Sequence, residues 1–162
     1  MELRRWDGTD VPSLTALLHR AYRPLLDRGL HYVAATQDDE TTRRRTANRE
    51  CWIAYEDGAP VGTVTLTPPG GASGCDWYAR SDVAAFGQFA VEPTCQGSGL
   101  GSQLLAHVEG QARALGAAEL ACDTAEQAQH LRDFYLRRGF RIVDAVDWPM
   151  TNFASVVLSK TL

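Results

Sequence analysis

Closely spaced glycines in the middle of the chain are the residues with the clearest chemical potential. They lie in Gln96-Gly97-Ser98-Gly99-Leu100-Gly101. An apolar run, Val83–Val91, comes before them, and apolar residues at helical spacing continue from Leu100 to Leu115. The order predicts a strand, a tight glycine turn and a helix.

A helix that begins directly after such a turn can bind an anion. Its first four backbone N–H groups have no partner inside the helix, and the aligned peptide dipoles place about half a positive charge there. Glycines lack the Cβ atoms that would hold a diphosphate away from the backbone. We therefore predict a pyrophosphate site. The alternative is a tight helix start that binds nothing.

Two widespread phosphate loops do not match this stretch. The P-loop needs a lysine directly after its last glycine, and the only lysine of the chain is Lys160. The dinucleotide fingerprint Gly-x-Gly-x-x-Gly has a different spacing and belongs to the first strand–helix turn of its domain. The glycine turn here sits late in the chain.

The pattern Gln96-x-x-Gly99-x-Gly101, after a strand ending in Phe89-Ala90-Val91-Glu92-Pro93, resembles the acetyl-CoA motif of the GNAT superfamily of N-acetyltransferases. A second block, residues 131–140, resembles the later helix of that family, where a tyrosine (here Tyr135) lies four residues before Gly-Phe. The close match covers residues 87–140. The resemblance implies an N-acetyltransferase that uses acetyl-CoA as cosubstrate and needs no metal.

The resemblance also implies the fold. The family has a mixed α/β fold, with a central, mostly antiparallel sheet of six to seven strands that is splayed in the middle and has helices on both faces. The apolar periodicities of this chain predict the matching order β-α-α-β-β-β-α-β-α-β-β. We expect a single N-acetyltransferase domain over residues 1–162.

Cap and turn residues set the predicted boundaries. Asp10 favours the N-terminus of the first helix, and Pro24 is expected to end or kink that helix near Tyr22. A mostly polar second helix is predicted over residues 38–50. A capping box at residues 124–127 predicts the start of the last helix.

The resemblance implies how the cosubstrate lies. The strand Val83–Val91 and the strand at residues 118–123 start paired and then splay apart, after a bulge for which Gly87 is the natural site. The gap admits the pantetheine arm, and one backbone N–H stabilises the oxyanion of the tetrahedral intermediate. The residues implied to bind acetyl-CoA are Phe89, Ala90, Val91, Gln96, Gly97, Ser98, Gly99, Leu100, Gly101 and Ser102.

Tyr135 is the implied general acid, which protonates the departing CoA thiolate after direct attack by the amine in a ternary complex. The alternative is a core aromatic residue, like its neighbour Phe134. Many relatives use a Glu or His on the splayed strand as the general base, but this chain has Ala85, Gly87 and Gln88 there. The base stays unassigned, and the nearby candidates are Glu92, Asp82, Asp123, Asp76 and Asp147.

The acceptor is expected to be a primary amine of a small molecule or a peptide. Asp76 and Asp147, with Trp77 and Trp148, would suit a cationic amine. One departure concerns the pantetheine contact, because Ala128 stands where the family often has an asparagine. A non-catalytic CoA- or acyl-CoA-binding regulatory module is the alternative function, since the strand carboxylate is missing.

Composition narrows the partners. The 162 residues carry a net charge of −4, which argues against a nucleic-acid partner. No apolar run approaches the roughly 20 residues of a membrane span, and no secretory signal is evident, so we expect a cytoplasmic protein without a membrane partner. The basic run Arg43-Arg44-Arg45 with Arg49 fits a solvated helix face, or a contact to the CoA 3′-phosphate or a substrate anion. The four cysteines are expected to be free thiols, and relatives often form homodimers.

Overall fold

The computed structural model describes all residues, Met1–Leu162, as a mixed α/β fold. The strands are β1 (Glu2–Arg5), β2 (Glu50–Glu56), β3 (Ala59–Thr67), β4 (Val83–Val91), β5 (Glu119–Ala125), β6 (Arg141–Val146) and β7 (Ser155–Thr161). The helices are α1 (Val11–Asp27), α2 (Val33–Thr36), α3 (Asp39–Thr46), α4 (Leu100–Ala114) and α5 (Gln129–Leu136). The strands form one seven-stranded sheet in the order β1-β2-β3-β4-β5-β7-β6. The predicted mixed, mostly antiparallel sheet is confirmed.

The chain consists of two compact units. Unit 1 contains residues 1–66 and 88–108, and unit 2 contains residues 67–87 and 109–162. A single domain over residues 1–162 stays a prediction, as do the cytoplasmic location and the homodimer. No helix combines the length and the apolar character that crossing a membrane requires.

In unit 1, α1 runs past the proline that was expected to end it. Pro24 lies inside the helix, which continues to Asp27. A proline in a helix interior costs about 3 kcal/mol, mainly through a lost hydrogen bond and a clash with the preceding turn. Leu25 is buried in the following turn, and Arg28 donates its backbone N–H to Leu25 and closes the helix. We attribute the continued helix to this burial and this cap. The predicted end near Tyr22 is wrong, and the alternative of a kink there stays a prediction.

The second predicted helix is shorter than expected. Asp38 caps α3 by accepting a hydrogen bond from the backbone N–H of Thr41 at 2.8 Å, and the helix ends at Thr46. Asn48 adopts a positive φ of 59°, and Glu50 already belongs to β2. Pairing of β2 with β3, from Glu50 opposite Leu66 onward, takes over the residues that local propensity assigned to the helix.

In unit 2, β4 and β5 pair in parallel over Val83–Ala85 and Glu119–Ala121, and β7 pairs antiparallel with both β5 and β6. Thr124 and Ala125 are the last residues of β5, opposite Val156 and Ser155. The predicted capping box is therefore wrong, and α5 begins later, after Ala128. Strand pairing satisfies the backbone of Thr124 that a cap would have used.

The distortion expected at Gly87 in β4 lies one residue later. Gln88 has a left-handed φ of 46°, whereas Gly87 is not among the residues with positive φ. A side chain in this conformation costs about 1–2 kcal/mol. The residue under strain is thus a glutamine and not the glycine beside it.

Candidate active site

The glycine turn is closed by hydrogen bonds among its own residues. After β4, Pro93–Cys95 forms one turn of 3-10 helix. The Ser98 hydroxyl donates to the carbonyl oxygen of Cys95 at 2.6 Å, and the backbone N–H of Leu100 donates to that hydroxyl at 3.4 Å. The Gln96 side chain donates to the carbonyl oxygen of Val91 at 3.4 Å. The turn is therefore preformed, and its shape does not depend on a ligand.

The two glycines at the centre of the turn leave space above the backbone. Gly97 and Gly99 have φ values of 80° and 88°, and a Cβ atom built on either would meet nothing within 4 Å. The first α4 hydrogen bond joins the N–H of Gln103 to the carbonyl of Gly99 at 3.1 Å, so the helix begins directly after the turn. An open backbone cradle at a helix N-terminus fits a pyrophosphate.

The side chains behind the cradle hold it in place. Leu100 and Leu104 are buried, and both lie close to Gly62 of β3, where an added Cβ would stand 2.9 Å from the Leu104 side chain. Leu100, predicted to contact the cosubstrate, can therefore do so only through its backbone. The predicted order of strand, glycine turn and helix is present, and the contact of these residues with the cosubstrate stays a prediction.

The end of β4 carries the backbone groups predicted to pair with pantetheine. The Tyr22 hydroxyl donates to the carbonyl oxygen of Phe89 at 3.1 Å, and Gln96 occupies that of Val91. The backbone N–H of Glu92 donates to the carbonyl oxygen of Val61 at 2.8 Å. Side chains thus fix the direction of this strand end. Tyr22 was not predicted to take part.

In unit 2, Tyr135 lies in an aromatic cluster. It is 7% exposed, and its ring centroid lies 6.0 Å from that of Phe86, 5.2 Å from that of Phe134 and 5.5 Å from that of Phe140. Its side chain is hydrogen-bonded to the Cys122 thiol, whose pKa is raised well above its ordinary value chiefly by burial. Tyr135 therefore packs in the core and also directs its hydroxyl at β5.

Two of the candidate bases form ion pairs with arginines. Glu92 accepts from Arg20 at 2.8 Å. Asp82 accepts two hydrogen bonds from Arg80, at 3.0 and 2.8 Å, which lower the pKa of its carboxyl group. The lowered pKa makes the Asp82 carboxylate a weaker proton acceptor.

Asp123 is the candidate base in the most organised surroundings. Its carboxylate accepts from the Tyr78 hydroxyl at 2.6 Å and from the indole N–H of Trp148 at 2.8 Å. Burial, together with the charge of Asp123, raises the pKa of the Tyr78 phenol well above its ordinary value. One carboxylate thereby ties two loops to β5. Asp76 and Asp147, in those loops, are exposed.

The tryptophan expected to face a cationic amine is covered by arginines. The Arg80 guanidinium lies 4.2 Å from the Trp77 ring centroid, and that of Arg141 lies 5.5 Å from it. The backbone N–H of Trp77 donates to Asp144 at 3.0 Å. Because guanidinium groups already stack on this ring, it is poorly suited to bind another cation.

The basic run divides into two parts. Arg43 and Arg49 are exposed and line a cavity of about 290 Å³ together with Trp6, Asp7 and Cys51. Arg45 turns inward and donates to the Gln37 side chain at 2.7 Å. The interpretation as a solvated helix face holds for Arg43 and Arg44 but not for Arg45.

The sequence did not indicate a role for two amide side chains, those of Gln37 and Gln88. Gln88 was noted only because it cannot act as a base, and Gln37 was not considered. Both are buried, and they are hydrogen-bonded to each other. A polar residue inside the apolar run of β4 was the available signal, since buried amides nearly always have partners. The structure also contains no cluster of three His, Cys, Asp or Glu side chains able to hold a metal ion, and all four cysteines are free.

Comparison with known proteins agrees with the geometry. The model of the acetyltransferase (GNAT) family matches residues 11–140. The chain therefore belongs to the GNAT family, and it is an N-acetyltransferase with acetyl-CoA as its cosubstrate. The resemblance carried by residues 96–101 and by residues 131–140 is confirmed.

Characterised relatives share the activity class. The chain is 28% identical over 133 residues to S-(2-succino)cysteine N-acetyltransferase of Bacillus subtilis, which covers 81% of this chain and 78% of that protein. It is 29% identical over 140 residues to aminoalkylphosphonate N-acetyltransferase of Salmonella typhimurium, covering 86% and 84%.

Solved structures share the fold. A ribosomal-protein-alanine N-acetyltransferase from Brucella melitensis superposes with a TM-score of 0.75 at 17% identity, covering all of both chains. A GNAT family acetyltransferase from Elizabethkingia anophelis, solved with acetyl-CoA bound, superposes with a TM-score of 0.70 at 19% identity, covering 99% of this chain and 97% of that one.

Proposed function

We propose that the chain transfers the acetyl group of acetyl-CoA directly to the primary amine of a small molecule, in a ternary complex, with Tyr135 as the general acid. The observation that carries the proposal is the preformed cradle at Gly97 and Gly99, with open space above two left-handed glycines at the start of α4. It is suited to the pyrophosphate of the cosubstrate, and the family supplies the reaction class.

The proposed reaction has two bond changes. The neutral amine attacks the thioester carbonyl carbon, and the C–S bond of the tetrahedral intermediate then breaks. Backbone N–H groups of Phe89, Ala90 or Val91 would stabilise the oxyanion, at roughly 3–4 kcal/mol for one well-placed donor. Tyr135 gives its phenolic proton to the departing thiolate, because a tyrosine phenol is protonated at neutral pH. The attacking nitrogen of the tetrahedral intermediate loses its extra proton to water or to a carboxylate, and the Tyr135 phenolate regains a proton from water.

The proposed acceptor is a small primary amine that also carries an acidic group. S-(2-succino)cysteine and aminoalkylphosphonates, the compounds in the names of two relatives, are both of this kind. The arginines stacked on Trp77 already occupy that ring, which argues against a cationic acceptor there.

A panel of amines with acetyl-CoA, read by released thiol, tests this proposal. The panel contains S-(2-succino)cysteine, an S-alkylcysteine, an aminoalkylphosphonate, a peptide with a free N-terminus and a diamine. We expect turnover with one or more of the acidic amines and a lower kcat/KM with the diamine. Turnover with the diamine or the peptide alone would contradict the proposed acceptor class.

Replacing Tyr135 by Phe tests the general acid. We expect kcat to fall by about 10²–10⁴, because the thiolate must then leave without a positioned proton. Acetyl-CoA affinity, measured by calorimetry, should stay within a few-fold, since the ring still packs against Phe86 and Phe140. Tyr55→Phe, a partly exposed tyrosine of β2, is the matched control. An unchanged kcat in Tyr135→Phe would remove Tyr135 from the mechanism.

A further inference from the structure

The strained residue of β4 is held by its own side chain. Gln88 is 5% exposed, and its amide N–H donates to the Thr65 hydroxyl of β3 at 3.2 Å. Its amide oxygen accepts from the Gln37 side chain at 2.9 Å. The left-handed backbone at Gln88 is therefore anchored to two separate parts of unit 1.

Gln37 extends these contacts to the helices. It lies between α2 and α3, is 5% exposed, and donates a second hydrogen bond to the Thr42 hydroxyl at 2.8 Å. Its side-chain oxygen accepts from Arg45 at 2.7 Å, so both atoms of this amide are used. The Thr42 hydroxyl lies 2.7 Å from that of Thr15 in α1. We call these six residues the amide network: Thr15, Gln37, Thr42, Arg45, Thr65 and Gln88.

The amide network costs more stability than a purely structural role would require. A left-handed backbone is unfavourable for a residue with a side chain, and a buried amide destabilises the fold if its partner is lost. Backbone strain persists only where the surroundings over-determine it, and such positions are concentrated at functional sites. The amide network holds Gln88 in its strained conformation through two side-chain hydrogen bonds.

The position of the strain connects it with the reaction. Gln88 directly precedes Phe89, so the dihedral angles of Gln88 set the plane of the peptide that joins the two residues. The Tyr22 hydroxyl fixes the next carbonyl, that of Phe89, from α1. The segment Phe89 to Val91 is the one whose backbone is proposed to contact the thioester. The network and Tyr22 together define its orientation.

We infer that Gln88 and Gln37 are positioning residues for acetyl transfer, holding the β4 peptide that donates to the acetyl carbonyl. This inference rests on the proposed function. The guanidinium of Arg45 polarises the Gln37 amide and so strengthens its donation to Gln88, because hydrogen bonds with a charged partner are stronger than neutral ones. In this proposal both glutamines act through the β4 backbone and not by contact with the substrate.

The experiment compares Gln88→Met and Gln37→Met with the wild-type chain. A peptide plane displaced by about 1 Å lowers the rate by about 10²-fold, so we expect kcat to fall by about 10- to 100-fold. The ratio of the dissociation constants of CoA and acetyl-CoA reports the acetyl carbonyl contact, and we expect it to fall as well. Affinity for CoA itself should stay within about three-fold, because residues 96–101 are untouched.

Two further variants separate positioning from general destabilisation. Thr63→Val removes another buried hydrogen bond of unit 1, from the Thr63 hydroxyl to the carbonyl of Trp52 at 3.1 Å, and should leave the affinity ratio unchanged. Gln37→Glu should rescue most of the activity lost in Gln37→Met, since a carboxylate can pair with Arg45 and accept from a flipped Gln88 amide. If Gln88→Met and Gln37→Met fail to fold, Arg45→Met replaces them. We then expect a smaller fall in the ratio of the dissociation constants of CoA and acetyl-CoA.

An unchanged kcat and affinity ratio in the folded network variants would overturn the inference, as would equal losses in Thr63→Val. Absence of turnover in the wild-type chain across the amine panel would instead overturn the proposed function. The affinity ratio still decides the inference in that case, because it is measured without an acceptor.

Discussion

Two loops of the molecule use glycine at positive φ for opposite purposes. In the turn at residues 96–101, a Cβ atom on Gly97 or Gly99 would meet nothing within 4 Å. In the loop at residues 68–82, Gly74 has a φ of 118°, and its Cβ would stand 2.4 Å from the Trp148 ring. The space next to the glycines is open in the first loop, and in the second loop it is filled by the Trp148 side chain.

The difference separates an open loop from a packed one. Trp148 cannot move freely away from Gly74, because its indole N–H is held by Asp123 at 2.8 Å. Above Gly97 and Gly99 there is no such side chain. A glycine-rich stretch alone does not distinguish the two cases, since both sequences contain several glycines and both break regular structure. The neighbours of the missing Cβ make the distinction.

The largest expected effect is that of Gly74→Ala. The new methyl group must displace Trp148 or distort the loop, and the backbone conformation is unfavourable for any side chain. We expect a loss of about 2–5 kcal/mol in the free energy of unfolding, from overpacking and strain together. Urea unfolding followed by tryptophan fluorescence measures it.

Gly70→Ala is the matched control in the same loop. Gly70 also has a positive φ, of 75°, but its Cβ would meet only ordinary contact distances, 3.5 Å or more, at Ser81. We expect a loss of about 1 kcal/mol from strain alone. Equal losses in the two variants would show that the Trp148 contact does not set the requirement for glycine at Gly74.

Gly99→Ala should have a smaller effect on stability and a specific effect on binding. The methyl group has room, so the free energy of unfolding should fall by only about 1 kcal/mol, from strain at a φ of 88°. The same methyl group would occupy the space proposed for the pyrophosphate. We expect the dissociation constant of acetyl-CoA to rise by about ten-fold or more, measured by calorimetry.

The control for this variant is Gly29→Ala, after α1. Gly29 has a φ of 82° and equally open surroundings, so the strain is matched. Acetyl-CoA affinity should not change there. A similar loss of affinity in both alanine variants would mean that strain is responsible, and that the cradle does not contact the cosubstrate through Gly99.

The smallest expected effect is a dependence of stability on pH. It distinguishes the loop at residues 68–82, in which Trp77 contacts Asp144, from the turn at residues 96–101, which contains no titratable side chain. The backbone N–H groups of Ala145 and Trp77 donate to Asp144 and lower the pKa of its carboxyl group below the ordinary 3.8. Because the folded-state pKa is the lower one, this stabilisation is fully present above pH 3.8 and is lost as the pH falls through the folded-state value.

The free energy of unfolding of Asp144→Asn should therefore be lower than that of the wild-type chain at pH 7. The two values should approach each other toward pH 3. Urea unfolding at both pH values measures the difference. Asp76→Asn is the control, because Asp76 is an exposed carboxylate next to Trp77, whose backbone N–H donates to Asp144. A difference that is constant from pH 7 to pH 3 would exclude titration of Asp144 as its cause.

Most of the fold could be predicted from the sequence because the signals were local. The apolar run of β4 and the helical spacing of α4 each depend on neighbouring residues. The errors arose where packing outweighed local preference. Burial of Leu25 carries α1 past Pro24, and pairing with β7 carries β5 through Thr124.

The candidate site divides in the same way. The conformation of residues 96–101 was predictable because it is set by the backbone of one continuous turn. The surroundings of Asp123 were not, since Tyr78 and Trp148 lie 45 and 25 residues away in the chain. Asp123 was only one of several carboxylates before the structure distinguished it from Glu92 and Asp82, which are paired with arginines.

The sequence by itself determined the cosubstrate class and the family, through glycines and a tyrosine whose spacing is set by local backbone geometry. Only the tertiary structure decided which polar side chains meet. Gln37 reaches Gln88 across 51 residues, and their hydrogen bond holds a strained strand that no local pattern indicates. The physical reason is that a turn is defined by adjacent dihedral angles, whereas the partner of a buried amide is defined by how distant segments pack.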